Sequence, residues 1–268
     1  MKDKMRLLTE TKLFVLDMDG TFYLGDSIIE GSLEFLETVK NAGKDYVFFT
    51  NNSSKTPKVY VDKLAKMGCH VTEKDIITSG DVTIAYLNAH YKDCPVYLVG
   101  TPVLEQSFRE GGISLTEEAP ELVVVSFDTT LTYDKLERAC TFIREGAIFL
   151  ATHLDINCPT EDGFIPDCGS ICALISHSTG KKPKYLGKPF AETVEMLLDQ
   201  TGCPREGLAF VGDRLYTDVA TGVNNGAKGF LVLTGETKLP DVENSELQPD
   251  AIFFSLKDIA DHLEALDK

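Results

Sequence analysis

The apolar run Leu13-Phe14-Val15-Leu16 passes directly into Asp17-Met18-Asp19-Gly20-Thr21, and this junction constrains the chain more than any other stretch. Four consecutive apolar residues without helical spacing read as a strand buried on both faces, the kind found inside a parallel sheet covered by helices. Two carboxylates then emerge at the end of the strand, where open α/β sheets bind their ligands. If the extended backbone continues to Asp19, the two-residue period aims both side chains at one mouth, with alpha carbons roughly 7 Å apart. Gly20 lets the chain turn sharply behind them. A carboxylate in such a place can attack an electrophile and form an acyl phosphate, while its neighbour protonates a leaving oxygen and later deprotonates water. Two close carboxylates repel, which favours a bound cation or one raised pKa. An Asp-Gly turn that merely closes a strand is the other use of these residues.

The same junction recurs along the chain. Phe22 to Ile29 reads as a short hairpin turning at Gly25-Asp26 and overhanging the carboxylates. Ser32 is placed to cap a helix carrying Leu33, Leu36 and Val39 and ending at Gly43. A second apolar strand, Tyr46-Val47-Phe48-Phe49, delivers Thr50-Asn51-Asn52-Ser53, and Thr56-Pro57 opens a helix that runs to Gly68. Thr78-Ser79-Gly80 marks a boundary, after which strands and helices alternate afresh. These are the strands 96–99, 122–125 and 147–150, a helix opened by Thr101-Pro102, and helices over 132–144 and 168–178. Gly180-Lys181-Lys182-Pro183 reads as a return linker. A helix carrying Val194, Leu197 and Leu198 leads to the strand Ala209-Phe210-Val211, which ends in Gly212-Asp213-Arg214 with Asp218 close behind. Strands at 229–233 and 251–254 follow. Repeated strand–helix units imply an α/β protein with a mostly parallel sheet and helices on both faces. The expected organisation is a core from 1–79 and 181–268, interrupted by an inserted α/β unit over 80–180.

Charge narrows the partners. The chain has 26 Lys+Arg against 42 Asp+Glu, a formal net charge of −16, which repels nucleic acid and anionic membrane surfaces. Any anionic ligand must therefore meet local positive groups. No apolar stretch is long enough to span a bilayer, and the opening Met1-Lys2-Asp3-Lys4-Met5-Arg6 lacks a signal-peptide core and leads into a strand. Seven scattered cysteines indicate reduced thiols and a cytoplasmic protein. Cys168-x-x-x-Cys172 comes nearest to a zinc pattern but has no second Cys/His pair, so a structural role is favoured.

Four polar clusters now follow strands of the outer module: Asp17/Asp19, Thr50/Asn51, Lys188 and Asp213/Asp218. In this order they resemble the haloacid dehalogenase (HAD) superfamily, whose motifs are DxDGT, a hydrophobic strand ending in Ser/Thr, a Lys, and GD…D. The Thr-Asn-Asn of the second motif and the large insertion look most like its NagD-like, para-nitrophenyl-phosphatase branch. The resemblance implies a Rossmann-like core, an inserted cap that carries substrate choice, and Mg²⁺-dependent hydrolysis of small phosphomonoesters. It implies Asp17 as nucleophile, Asp19 as acid and base, and Thr50, Asn51, Asn52 and Lys188 around the phosphoryl group. The metal ligands it implies are Asp17, the backbone carbonyl of Asp19, and Asp213, with Asp218 behind them. Arg214 and the cap residues His153 and Asp155 become candidate substrate contacts, although the family often has Asn where His153 stands. Dehalogenation needs neither metal nor leaving-group acid, so Asp19 and Asp213 argue against it. Phosphomutase chemistry and non-catalytic phosphometabolite binding remain alternatives. A cap-to-cap homodimer is one arrangement the sequence leaves open, and it names no particular substrate among sugar phosphates, nucleoside monophosphates and similar esters.

Overall fold

The computed structural model describes residues 3–160 and 163–266. It begins with helix α1 (Lys4–Glu10), capped by the Asp3 side chain, where the sequence reading expected the chain to run straight into a strand; Met1 and Lys2 of that opening lie outside the described residues. Next come β1 (Leu13–Leu16), the hairpin β2 (Tyr23–Leu24) and β3 (Ser27–Ile28), α2 (Ser32–Asn41), β4 (Asp45–Thr50), α3 (Pro57–Lys66) and β5 (Ile76–Thr78). The middle carries α4 (Ser79–His90), β6 (Val96–Val99), α5 (Pro102–Glu110), β7 (Leu122–Val125), α6 (Tyr133–Glu145) and β8 (Ile148–Ala151). It closes with β9 (Asn157–Thr160), β10 (Gly163–Pro166), α7 (Cys168–Thr179) and β11 (Lys184–Tyr185). The last part holds α8 (Ala191–Thr201), β12 (Leu208–Gly212), α9 (Ala220–Asn224), β13 (Lys228–Val232), α10 (Leu239–Glu243), β14 (Ala251–Phe253) and α11 (Leu256–Leu266).

Two compact units divide the chain. The first is Met1–Thr50, Val61–Ile77 and Lys188–Lys268, whose outermost residues 1–2 and 267–268 are not described; the second is Asn51–Tyr60 and Thr78–Gly187. These bounds differ from 1–79 and 181–268. Residues 51–60 group with the second unit because Asn51 and Ser53 bond to Asp155 and Thr152, and residues 184–185 do so because β11 pairs with β8.

In the first unit a six-stranded sheet has the order β14-β13-β12-β1-β4-β5, and β1 runs parallel to both β12 and β4. Chain order therefore reverses between β1 and β12, which opens a crevice at their C-terminal ends. Every residue of β1 and β12 is buried, as the continuous apolar runs require. Phe14 of β1 meets Phe35 of α2 edge to face at 5.5 Å, and Phe22 meets Phe48 at 4.7 Å, so the aromatic core lies directly beneath the strand ends. Helix α2 starts at Ser32, but the cap is Gly31 with φ 79°, and the Ser32 hydroxyl is buried without a partner. The lysine at position 257 packs where a side chain at Gly31 would stand, which is why the cap is glycine and the serine has moved inward.

The second unit has a four-stranded sheet, β11-β8-β7-β6, with all its pairs parallel. Residue alternation sorts its faces. Val123, Val125 and Phe149 pack with α6 and α7, while Val124, Leu98 and Leu150 pack with α4 and α5. Cys168 and Cys172 belong to the first of these cores, with sulfurs 4.0 Å apart, and are free cysteines. Helix α4 was not expected from sequence; its apolar residues follow no clean stripe, and a Thr78–Asp81 capping box starts it. The polar stretch after β8, for which no strand was expected, forms the antiparallel pair β9–β10.

Candidate active site

Three acids gather in the crevice of the first unit. Asp17 follows β1 and Asp213 follows β12, while Asp218 returns to the same place through one turn of π-helix, Leu215–Val219. Their carboxylate oxygens lie within 4.8 Å of one another. Lys188 joins two of them: its ammonium donates to Asp17 Oδ1 and to Asp218 Oδ1, each at 2.6 Å, and lies 3.4 Å from the Phe49 carbonyl near the end of β4. Asp218 uses its other oxygen to accept from the Arg214 N–H at 3.1 Å. Burial opposes the charge on Lys188, but Asp17 and Asp218 outweigh it and raise its pKa above the ordinary lysine value. The lysine stays protonated throughout the working range.

Asp213 is wedged between two backbones. Its Oδ2 accepts from the Glu236 N–H at 2.6 Å, and a side chain at Gly20, where φ is 82°, would stand 2.7 Å from the same oxygen. That approach demands glycine on both steric and conformational grounds. The loop that follows β13, Thr234-Gly235-Glu236-Thr237, thus belongs to the site: Thr234 bonds to the Gly20 carbonyl at 2.6 Å, and the Glu236 carboxylate holds Arg214 at 3.0 Å. Its place in the site was not expected from sequence. Its signal was a polar, glycine-containing segment directly after a buried strand, the rule that found the other motifs.

Electrostatics follow from the crowding. Burial, and then the charge of Asp17, push the Asp213 carboxyl up to about 6. The same two causes push Asp218 up to about 7, against the pull of Lys188. Asp19 behaves differently. Met18 is buried while Asp19 reaches the surface, so the backbone alternates as expected, and partial burial together with Asp17 raises its pKa against Lys63 and Arg214. Lys63 is held nearby over the Tyr23 ring at 4.0 Å. A donor set made only of oxygens, with two acids held close to protonation, suits a hard divalent cation, which would relieve the repulsion. Asp17 and Asp213 offer ligands to it, whereas Asp218 is turned to Lys188.

The remaining expected site residues lie in or next to the second unit. Thr50 ends β4, and Asn51 directly after it is buried, its amide donating to Asp155 Oδ2 at 3.1 Å. The Asn52 side chain accepts from the Ser54 N–H at 3.0 Å and its hydroxyl at 2.7 Å, which folds the loop locally. His153 was expected to meet substrate. It is instead fully buried, with Nε2 2.9 Å from Asp167 Oδ1 and Nδ1 near both Thr152 and Ser79, so no ring nitrogen is left to face a ligand. Sequence could not distinguish the two cases, because a histidine in a polar loop serves both.

A model of the haloacid dehalogenase-like hydrolases matches residues 14–114, and a second HAD-hydrolase-like model matches 185–259. The chain is 36% identical over 245 residues to the 5'-nucleotidase YutF of Bacillus subtilis, covering 91% of this chain and 96% of that one. It is 32% identical over 262 residues to an acid sugar phosphatase of Staphylococcus aureus, covering 97% and 100%. A 4-nitrophenylphosphatase structure from Thermotoga maritima superposes with a TM-score of 0.92 at 48% identity, over 95% and 98% of the two chains. With β1, β4 and β12 bringing their polar ends to one side of such a sheet, this chain belongs to the haloacid dehalogenase-like hydrolases, in the branch of the NagD-like and para-nitrophenyl phosphatases, and is a phosphoric monoester hydrolase.

Proposed function

We propose that the chain hydrolyses small phosphomonoesters, sugar phosphates, nucleoside monophosphates or similar, with Mg²⁺ and through an aspartyl phosphate. The observation that carries this reading is the lysine bridge, Asp17–Lys188–Asp218, with both contacts at 2.6 Å beside Asp213. Lys188 fixes one oxygen of Asp17 and leaves the other to attack phosphorus. As that bond forms, the ester P–O bond breaks and the departing oxygen takes the proton of Asp19, whose raised pKa suits an acid. Asp19, now a carboxylate, then removes a proton from water. The water oxygen bonds to phosphorus, the Asp17–phosphorus bond breaks, and inorganic phosphate leaves.

Phosphoryl transfer is governed by positioning and charge stabilisation, and each remaining residue has such a role. The Thr50 hydroxyl and Asn51 N–H hold one phosphoryl oxygen, Lys188 balances charge, and Arg214, aimed by Glu236, meets the substrate anion. Asp17, the backbone carbonyl of Asp19, and Asp213 would hold Mg²⁺, with Asp218 behind them; when bound, the ion neutralises charge on Asp17 and the phosphoryl oxygens. Residues 80–180, with Asp155 among them, act as a cap that selects substrate. The names of the two relatives, a 5'-nucleotidase and an acid sugar phosphatase, support the substrate class. Among the described residues no helix is long and apolar enough to cross a membrane. The net charge of −16 supports an enzyme without nucleic-acid partners, and a cytoplasmic location belongs to the same proposal.

The test is phosphate release from a panel of phosphorylated metabolites, with and without Mg²⁺. Release should need the ion and fall by at least about a thousandfold in Asp17→Asn. Equal turnover in that variant, with deamidation excluded by mass spectrometry, overturns the proposal.

A further inference from the structure

We infer that His153 is a positioning residue: acting through Ser79 and Thr152, it fixes the backbone carbonyl of Asn51 and the side chain of Ser53, and with them the loop that begins at Thr50. The chain passes between its two units at four places, 50/51, 60/61, 77/78 and 187/188. Within the second unit, the residues at or next to three of these crossings converge on the segment 152–155. His153 Nδ1 lies 3.2 Å from Ser79 Oγ, and that hydroxyl donates to the Asn51 carbonyl at 2.5 Å. Thr152 Oγ1 is 2.9 Å from the same ring nitrogen and 3.0 Å from Ser53 Oγ, which in turn accepts the Phe127 N–H at 3.0 Å. Asp155 holds the Asn51 amide at 3.1 Å. Gly187 completes the cluster: a side chain there would stand 2.6 Å from the Thr152 carbonyl, 2.9 Å from Asn51 Oδ1 and 3.2 Å from His153 Cβ.

The imidazole suits this task because it spans two anchors. Asp167 Oδ1 holds Nε2 at 2.9 Å and also accepts the Cys168 N–H at 2.6 Å, so the ring is tied to the first turn of α7. Nδ1 is thereby aimed at the two hydroxyls, of which Ser79 passes the constraint to the Asn51 carbonyl and Thr152 to the Ser53 hydroxyl. A hydrogen-bonded chain with every member satisfied and buried is rigid. Asn51, whose N–H is assigned to a phosphoryl oxygen, is thus set by a residue two bonds away that touches no substrate. The kinetic part of this inference rests on the phosphatase reading above.

Three variants test it: His153→Leu, which keeps bulk but has no ring nitrogen; His153→Asn, whose amide occupies the place of Nδ1; and Ser79→Ala, which cuts the link to Asn51. Two readouts are taken. One is hydrolysis of para-nitrophenyl phosphate with inhibition by inorganic phosphate; the other is amide exchange over residues 51–54. His153→Leu and Ser79→Ala should raise KM and the phosphate inhibition constant together by about tenfold, the size of one lost hydrogen bond, and speed exchange. His153→Asn should restore most of both. A melting temperature that falls while KM, the inhibition constant and exchange at 51–54 stay unchanged would overturn the inference in favour of a purely structural histidine. If His153→Leu fails to fold, Ser79→Ala decides. A wild-type enzyme without any hydrolysis would remove the phosphatase reading and leave exchange to judge the positioning.

Discussion

Lys188 and His153 are both buried bases held by carboxylates, and they differ in what their loss uncovers. Without the lysine, Asp17 and Asp218 face each other uncompensated in a crevice where burial already disfavours the charge of Asp218. Lys188→Met should therefore lower kcat by about a thousandfold, at the upper end for one preorganised donor, and cost about 3 kcal/mol of stability. Steady-state kinetics and urea unfolding measure the two. His153 carries a pH signature instead. Burial works against its charge, but Cys168, the hydrogen-bonded Asp167 and Asp155 outweigh it and raise its pKa from 6.5 to about 9. A folded pKa above the unfolded one means stability that is fully present below 6.5 and is lost as pH rises through about 9. Cys168, which burial pushes up but its hydrogen bond to Cys172 and the charge of His153 bring down to about 7, gains stability over the same rise and offsets part of this. The net loss is therefore smaller than the roughly 3 kcal/mol that the step from 6.5 to about 9 alone would give. Urea unfolding at pH 6.5 and at pH 9.5 should show the wild type losing stability that His153→Leu does not lose. Equal pH dependence in both would refute the assignment.

At the scale of elements, the passage from β12 into the π-turn decides where Asp218 points. Gly212 ends the strand with no room for a side chain, because Asp218 folds back against its alpha carbon. Gly212→Ala should push Asp218 off Lys188, lower kcat at least about tenfold and cost about 1–3 kcal/mol, as overpacking does. The check is activity alongside thermal melting; full activity would mean that the turn yields more easily than its packing indicates. The element scale also shows how sequence reading fails. β1, β4 and β12 were legible because strands buried on both faces leave continuous apolar runs. Ser32 misled because a capping residue type sat one position inside the helix, and Gly31 was needed beside Lys257. β9 and β10 escaped because all but Cys158 of their described residues are exposed, so no apolar alternation marks them.

Over the whole molecule, each unit has its own sheet and its own core, the first including Leu215, Val219, Leu231 and Val242, which is the condition for unfolding that is not two-state. Calorimetry should give a total enthalpy larger than the van't Hoff value. Mg²⁺ should raise the transition of the unit holding Asp17 and Asp213, because a ligand stabilises the fold it binds. A single two-state transition, or a Mg²⁺ shift of both components alike, would contradict this.

Local chemistry was enough to read the order of the strand-end motifs and to place two carboxylates after β1, since both depend on residues adjacent to a recognisable strand; Lys188 was singled out by the family resemblance alone. Local chemistry was not enough for residues whose meaning depends on distant neighbours. The 234–237 loop became part of the site only when β13 laid it beside Asp213, and His153 changed from a ligand contact to a buried strut only when Ser79, Thr152 and Asp167 closed around it. A polar side chain acquires its role from the partners that satisfy it, and those partners are chosen by the tertiary structure.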